Sequence, residues 1–106
     1  MDFKQVVEAL NDGKMAKRSG WNDKSLFIFK QVPSVISRDI VPKMQSLPQS
    51  VKNEFEKRFN DPSEQINAIY YDNQIAIVNR SNLISGWTPS VIDVFSQDWI
   101  VLDQFV

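Results

Sequence analysis

The chain has 106 residues, 42% hydrophobic and 24% charged, with no cysteine and no histidine. Such a length and balance fit one soluble unit with a real core, and the two absences exclude disulfides, Cys/His zinc sites, Ser-His-Asp and Cys-His catalysis and any histidine pH switch. Twelve Lys+Arg against thirteen Asp+Glu leave a net charge of −1, and no basic run exceeds Lys17-Arg18, so DNA or RNA, which is held by clustered cations, is excluded as an expected partner. The N-terminus has no basic segment leading into an apolar stretch, and nowhere do about eighteen apolar residues run together. Neither a secretory leader nor a membrane span is expected, and the expected compartment is a cytoplasm.

Residues 2–13 read as an amphipathic helix. Asp2 can cap it, Phe3, Val6, Val7 and Leu10 recur on one face, and Asn11-Asp12-Gly13 is a stop. Lys14 to Arg18 is compatible with a short strand, Ser19-Gly20-Trp21-Asn22-Asp23 with a turn, and Leu26-Phe27-Ile28-Phe29 with a second strand that ends by Pro33. Prolines at 33, 42 and 48 make the next stretch a long connection with one short extended piece. Pro48 suits the first position of a helix over 48–59, where Val51, Phe55 and Phe59 recur every four residues, and Asn60-Asp61-Pro62 stops it. Two apolar runs, 66–71 and 74–78, flank Asp72-Asn73 and predict a tight hairpin with Tyr70 opposite Ile75 and Ala68 opposite Ile77. Thr88 as N-cap and Pro89 as first helical residue open a short helix to Ser96, and 98–102 closes as a strand. The fold class is therefore α+β: a mainly antiparallel sheet with an N-terminal helix, a helix in a central insert (33–65) and a short C-terminal helix. Parallel crossovers stay open, and the whole, 1–106, reads as one domain.

Aromatic residues make up 11% of the chain, with three tryptophans, and two of these follow glycine directly. Ser19-Gly20-Trp21-Asn22 nearly repeats as Ser85-Gly86-Trp87-Thr88. Each offers a close approach at glycine, a flat apolar wall and a polar side chain, which is what a nucleobase or ribose needs. The competing reading makes both tryptophans core residues at strand ends, and Trp99, inside an apolar strand, is assigned to the core. Arg18 can pair with a phosphate bidentately or sit solvated on the surface. Thr88 and Ser90 lie where free helix N–H groups favour an anion, although capping accounts for Thr88 equally well. Asp93 and Asp98 are five residues apart across a helix end, a spacing that does not put them on one face. Asp93 is read as accepting hydrogen bonds from ribose or backbone. There is no phosphate loop, nucleophile elbow or carboxylate cluster at metal spacing, so neither catalytic residue, metal nor cofactor is expected.

The segments Ala16-Lys17-Arg18-Ser19-Gly20-Trp21-Asn22 and Gly86-Trp87-Thr88-Pro89-Ser90-Val91-Ile92-Asp93, continuing to Asp98-Trp99, resemble the second Thoeris anti-defence family of phage proteins. The resemblance covers both ends of the chain and departs in the middle, where 33–65 is longer than in compact members. It implies a sponge that binds a cyclic nucleotide immune signal without cleaving it, the class being glycocyclic ADP-ribose, with cyclic dinucleotides of cGAS-like immunity as the alternative. It also implies a homotetramer with pockets at subunit contacts, working in the cytoplasm of the infected bacterial host. Carried over by motif, the ligand-binding residues are Arg18, Gly20, Trp21 and Asn22, followed by Trp87, Thr88, Ser90 and Asp93. Two other classes compete: a nucleotide-cleaving enzyme with Asp93 or Asp98 as general base, and a protein-interaction module that presents an aromatic patch.

Overall fold

The computed structural model describes residues 1–102. In chain order the elements are α1 (Phe3–Asn11), β1 (Met15–Arg18), β2 (Phe27–Gln31), β3 (Ser34–Ser37), a 3₁₀ turn (Val41–Lys43), α2 (Gln49–Phe59), β4 (Ala68–Tyr71), β5 (Gln74–Val78), β6 (Ile84–Gly86), α3 (Val91–Phe95) and β7 (Trp99–Leu102). They divide between two compact units: residues 33–72 make one, and the chain before and after them makes the other.

In the larger unit, α1 starts at a reciprocal cap. The Asp2 carboxylate accepts from the Gln5 N–H at 2.9 Å while the Gln5 side chain accepts from the Asp2 N–H at 3.0 Å, which satisfies two of the free donors of the first turn. Gly13 ends the helix in the left-handed region at φ +84, a conformation glycine enters without steric cost. The strands form one sheet in the order β6-β5-β2-β1-β7, and every pairing is antiparallel. Side chains alternate along a strand, so the register Ala16↔Ile28, Ile28↔Ile77 and Arg18↔Trp99 puts Ala16, Ile28, Ile77, Trp99 and Arg18 on one face. There Val6 and Leu10 of α1 bury against Ala16, Ile28 and Trp99, with Phe3, Trp21, Ile75 and Trp87 packed round them. Each large buried side chain in that cluster contributes about 1.5–3 kcal/mol.

The smaller unit holds its own core. Antiparallel β3 and β4 place Ile36 opposite Ile69, and Ile69 packs with Val41 and Phe59 under Ile36, Met44, Leu47 and Phe55. Arg38 lays its guanidinium 5.5 Å from the centre of the Phe59 ring and donates to Glu56 and to the Asn60 side chain. The expected helix is present, though Pro48 is its N-cap and not its first residue. Val51 lies at the exposed margin of the pattern, while Phe55 and Phe59 supply the packing.

Three expectations change. Strands β4 and β5 do not pair across Asp72-Asn73: β5 runs beside β2, with Gln74 opposite Gln31, and β4 runs beside β3, with Tyr71 opposite Ser34. Five register pairs in one ladder and four in the other outweigh one tight turn whose Asp-Asn sequence lacks the usual glycine. The last helix begins later than Thr88-Pro89 indicates, because Ser90 is the N-cap and Val91 the first helical residue. Finally, β6 is a strand within a stretch that carries no clear strand signal, whereas β3 is the short extended piece expected between Pro33 and Pro48.

Candidate functional site

Residues near both chain ends meet at one end of the larger sheet because β1 and β7 are paired. Trp99 opens β7 opposite Arg18, the last residue of β1, so the 19–22 turn and the 93–98 segment leave the sheet side by side. Three tryptophans gather there. Trp99 is 3% exposed and its ring meets Trp21 at 5.5 Å and Trp87 at 6.2 Å, both edge-to-face, while Trp21 and Trp87 meet each other at 6.2 Å. Edge-to-face geometry sets the positive rim of one ring on the negative face of the next and adds about 0.5–1.5 kcal/mol per pair to simple burial. Trp21 and Trp87 are half-buried: they pack on the core cluster, as the core reading has it, and keep part of their surface toward solvent. Trp87 is fixed by its own N–H, which donates to the Ile75 carbonyl at 2.9 Å.

Beside the rings lies a charged network. The Arg18 guanidinium donates from Nε to Asp98 Oδ1 and from Nη1 to Asp93 Oδ1, each at 2.9 Å, and more weakly from Nη2 to Asp98 Oδ2 at 3.5 Å. Asp93 and Asp98 thus do converge, contrary to the spacing argument. That argument considered one helix face, whereas α3 ends at Phe95 and the chain turns back so that Asp98 arrives from the strand side. Asp93 is also the third residue of α3. Its Oδ2 accepts from the Ser90 N–H and hydroxyl, both at 2.9 Å, and its N–H donates to Ser90 Oγ at 3.1 Å, a reciprocal cap like that of α1. Its carbonyl accepts from the buried Trp99 indole N–H at 2.9 Å. One residue therefore joins the helix start, the arginine and the central tryptophan.

The electrostatics follow from these contacts. Burial pushes the Asp93 carboxyl up, but the hydrogen bonds from the Ser90 N–H and hydroxyl and from Arg18 outweigh it and hold the group below the usual carboxylate value. The hydrogen bond from Arg18, with help from the Gly20 N–H and against some desolvation, holds Asp98 below it too. Arg18 is raised above its ordinary value, first by its hydrogen bond to Asp98 and then, against burial, by Asp93. Of five guanidinium N–H groups, three donate to the carboxylates of Asp93 and Asp98.

Of the expected ligand residues, Arg18, Trp21, Trp87, Ser90 and Asp93 lie within this connected cluster, and Gly20 joins it through its N–H, which donates to Asp98 Oδ2 at 2.9 Å. Asn22 and Thr88 stand exposed next to Trp21 and Trp87. Two participants were not among the expected ligand residues. Asp98 organises the network, and Lys24 brings its ammonium to the Ser19 carbonyl, adding a cation beside the turn. No group of three or more acidic residues suited to a metal ion occurs among the described residues. No helix among them is long and apolar enough to cross a membrane.

Comparison with known proteins matches residues 1–102 to the Thoeris anti-defense 2-like domain. The chain is similar to Thoeris anti-defense 2 of Bacillus phage SP01, at 30% identity over 102 residues that cover 96% of this chain and 94% of that protein. Both tryptophan-bearing segments and the whole arginine–carboxylate network fall inside the matched span, and the chain belongs to the Thoeris anti-defense 2-like family, a membership that supports a phage anti-defence role.

Proposed function

We propose that the protein is a phage anti-defence sponge, which binds a cyclic nucleotide signal of the glycocyclic ADP-ribose type in the cytoplasm of the infected host and holds it intact. The observation that carries this reading is the junction of Trp21 and Trp87, 6.2 Å apart, with the polar residues that flank them, within a domain matched along 1–102. Two half-buried indoles offer apolar walls to a base. Asn22, Thr88 and Ser90 offer directional polar groups, and Arg18 offers a phosphate contact. Sequestration has to pull the free signal below its effector's threshold, so affinity in the nanomolar range is required, about −12 kcal/mol.

Turnover is disfavoured by the state of the acidic pair beside the rings, Asp93 and Asp98. A general base works best with a pKa near the operating pH, whereas Asp93 and Asp98 are both held below the ordinary carboxylate value with their oxygens engaged. The decisive experiment mixes the purified protein with a glycocyclic ADP-ribose, filters it, heats the protein and assays the second filtrate. Depletion before heating and intact nucleotide after it are expected. No depletion, or a cleaved product, would refute the sponge, and selective depletion of a cyclic dinucleotide from the same panel would reassign the signal.

The proposed assembly is a homotetramer. Its support is α3, whose Val91, Ile92 and Phe95 are 74%, 70% and 78% exposed, a contiguous apolar surface of the kind that marks an interaction site. Light scattering coupled to gel filtration is expected to return a tetramer for the wild type and a smaller species for Phe95→Asp. A monomeric wild type would remove this part of the proposal.

A further inference from the structure

Asp98 holds three consecutive residues of the facing segment at once. Its side chain binds Arg18 through Nε at 2.9 Å and the Gly20 N–H at 2.9 Å, and its carbonyl accepts from the Ser19 N–H at 3.0 Å. Trp21 follows immediately, with its own N–H returned to the Arg18 carbonyl at 3.2 Å. The turn that carries the indole is therefore attached to Asp98 on one side and closed on Arg18 on the other. Gly20 reports how tight this is. A Cβ added there would lie 2.6 Å from Asp98 Oδ2, closer than side-chain carbons ever approach oxygen. Gly20 is not among the residues with positive φ, so backbone freedom is not what the position demands. What stands in the way of a side chain is the carboxylate, which would have to move out of its bonds to Arg18 and the Gly20 N–H to admit one. Through Arg18 the same carboxylate is linked to Asp93, and through Asp93 to the start of α3 and to the Trp99 indole.

We infer that Asp98 is the positioning residue of this site: without touching the ligand, it seats the 19–21 turn and thereby fixes the Trp21 ring, and Gly20 is glycine because that carboxylate occupies the space of a side chain. The inference rests on the reading of Trp21 as a ligand wall only for its effect on affinity. For the placement of the ring it rests on the geometry alone. A base stacks on an indole only in a narrow range of tilt and offset, so a turn displaced by about an ångström is enough to lose the contact.

The test is a double-mutant cycle on the full chain with Gly20→Ala, Asp98→Ala and the pair, read by near-ultraviolet circular dichroism of the unliganded proteins and by affinity for a glycocyclic ADP-ribose. Each single variant is expected to alter the tryptophan bands while the far-ultraviolet spectrum is retained, and to weaken binding about tenfold. In the Asp98→Ala background, Gly20→Ala is expected to change affinity by less than about twofold, because the oxygen it collides with is gone. Full additivity of the two would overturn the claim about Gly20. An Asp98→Ala variant with wild-type tryptophan bands and affinity, and only a lower Tm, would show a structural brace instead of a positioning residue. Should Trp21→Ala keep wild-type affinity, the binding reading fails, and the unliganded spectra still decide whether Asp98 sets the ring.

Discussion

Trp99→Ala is expected to cost about 3–5 kcal/mol of folding stability, against a total of about 5–15 kcal/mol for a domain of ordinary stability. The magnitude follows from what the ring touches. Trp99 is 3% exposed, sits 5.5 Å from both Phe3 and Trp21 and 6.2 Å from Trp87, and lies in the cluster with Val6, Leu10, Ala16 and Ile28. Truncation removes the largest member of that core and leaves a cavity that α1 and the sheet cannot close together. It also strands the Asp93 carbonyl, which would lose its indole donor in a buried setting where an unpaired acceptor costs about 1–3 kcal/mol. Thermal unfolding should show a drop of about 4–8 °C for each kcal/mol lost. Trp99→Phe is expected to fall between wild type and alanine, because it restores part of the volume and none of the hydrogen bond. A Tm within a few degrees of wild type for Trp99→Ala would mean that this junction is not the centre of the core.

The second large effect is on binding. Trp21→Ala is expected to weaken nucleotide affinity about tenfold to a hundredfold, the range that removal of one aromatic stacking platform produces, about 1–3 kcal/mol. Trp21 also leans on Trp99, so some stability goes with it, and the two effects have to be separated. Trp21→Phe does this: it keeps an aromatic face and most of the packing, so it should retain the larger part of the affinity. Isothermal titration with a glycocyclic ADP-ribose at a temperature well below each variant's Tm measures the binding loss alone. Equal affinities for wild type and Trp21→Ala would place the ligand elsewhere on the molecule.

The parts of this fold that could be read in the sequence are those in which local chemistry and tertiary contacts agree. Asp2, the 3-6-7-10 apolar spacing and Gly13 all specify α1. Phe27-Ile28-Phe29 and Trp99 to Leu102 have the composition of strands and become strands. The hairpin expected at Asp72-Asn73 does not form because a turn signal is local, whereas the pairing of β5 with β2 and of β4 with β3 joins residues 31 to 51 positions apart along the chain. Strand β6 is short and exposed, so no alternation marks it.

At the site, the repeated glycine–tryptophan pairs brought attention to Trp21 and Trp87, and Arg18, Ser90 and Asp93 are found in the same network. The sequence offers Asp98 only as a candidate general base. Its place depends on the register Arg18↔Trp99, a long-range pairing that no count along the sequence shows. The start of α3 was displaced for a related reason: Thr88-Pro89 has the form of a cap, but Ser90 has Asp93 three residues later to complete the reciprocal bond.

The pairing of Gln31 with Gln74 has a consequence for how such a chain can change. Val32 directly follows Gln31 and Asn73 directly precedes Gln74, so the ends of segment 33–72 are delivered by neighbouring strands of a ladder that is complete without it. A short turn spliced between Val32 and Asn73 would join β2 and β5 as an ordinary hairpin, with α1, the tryptophan junction and the Arg18 network all encoded outside the excised piece. A variant in which such a turn replaces 33–72 is therefore expected to keep the β2–β5 pairing, and retained near-ultraviolet tryptophan bands would check it.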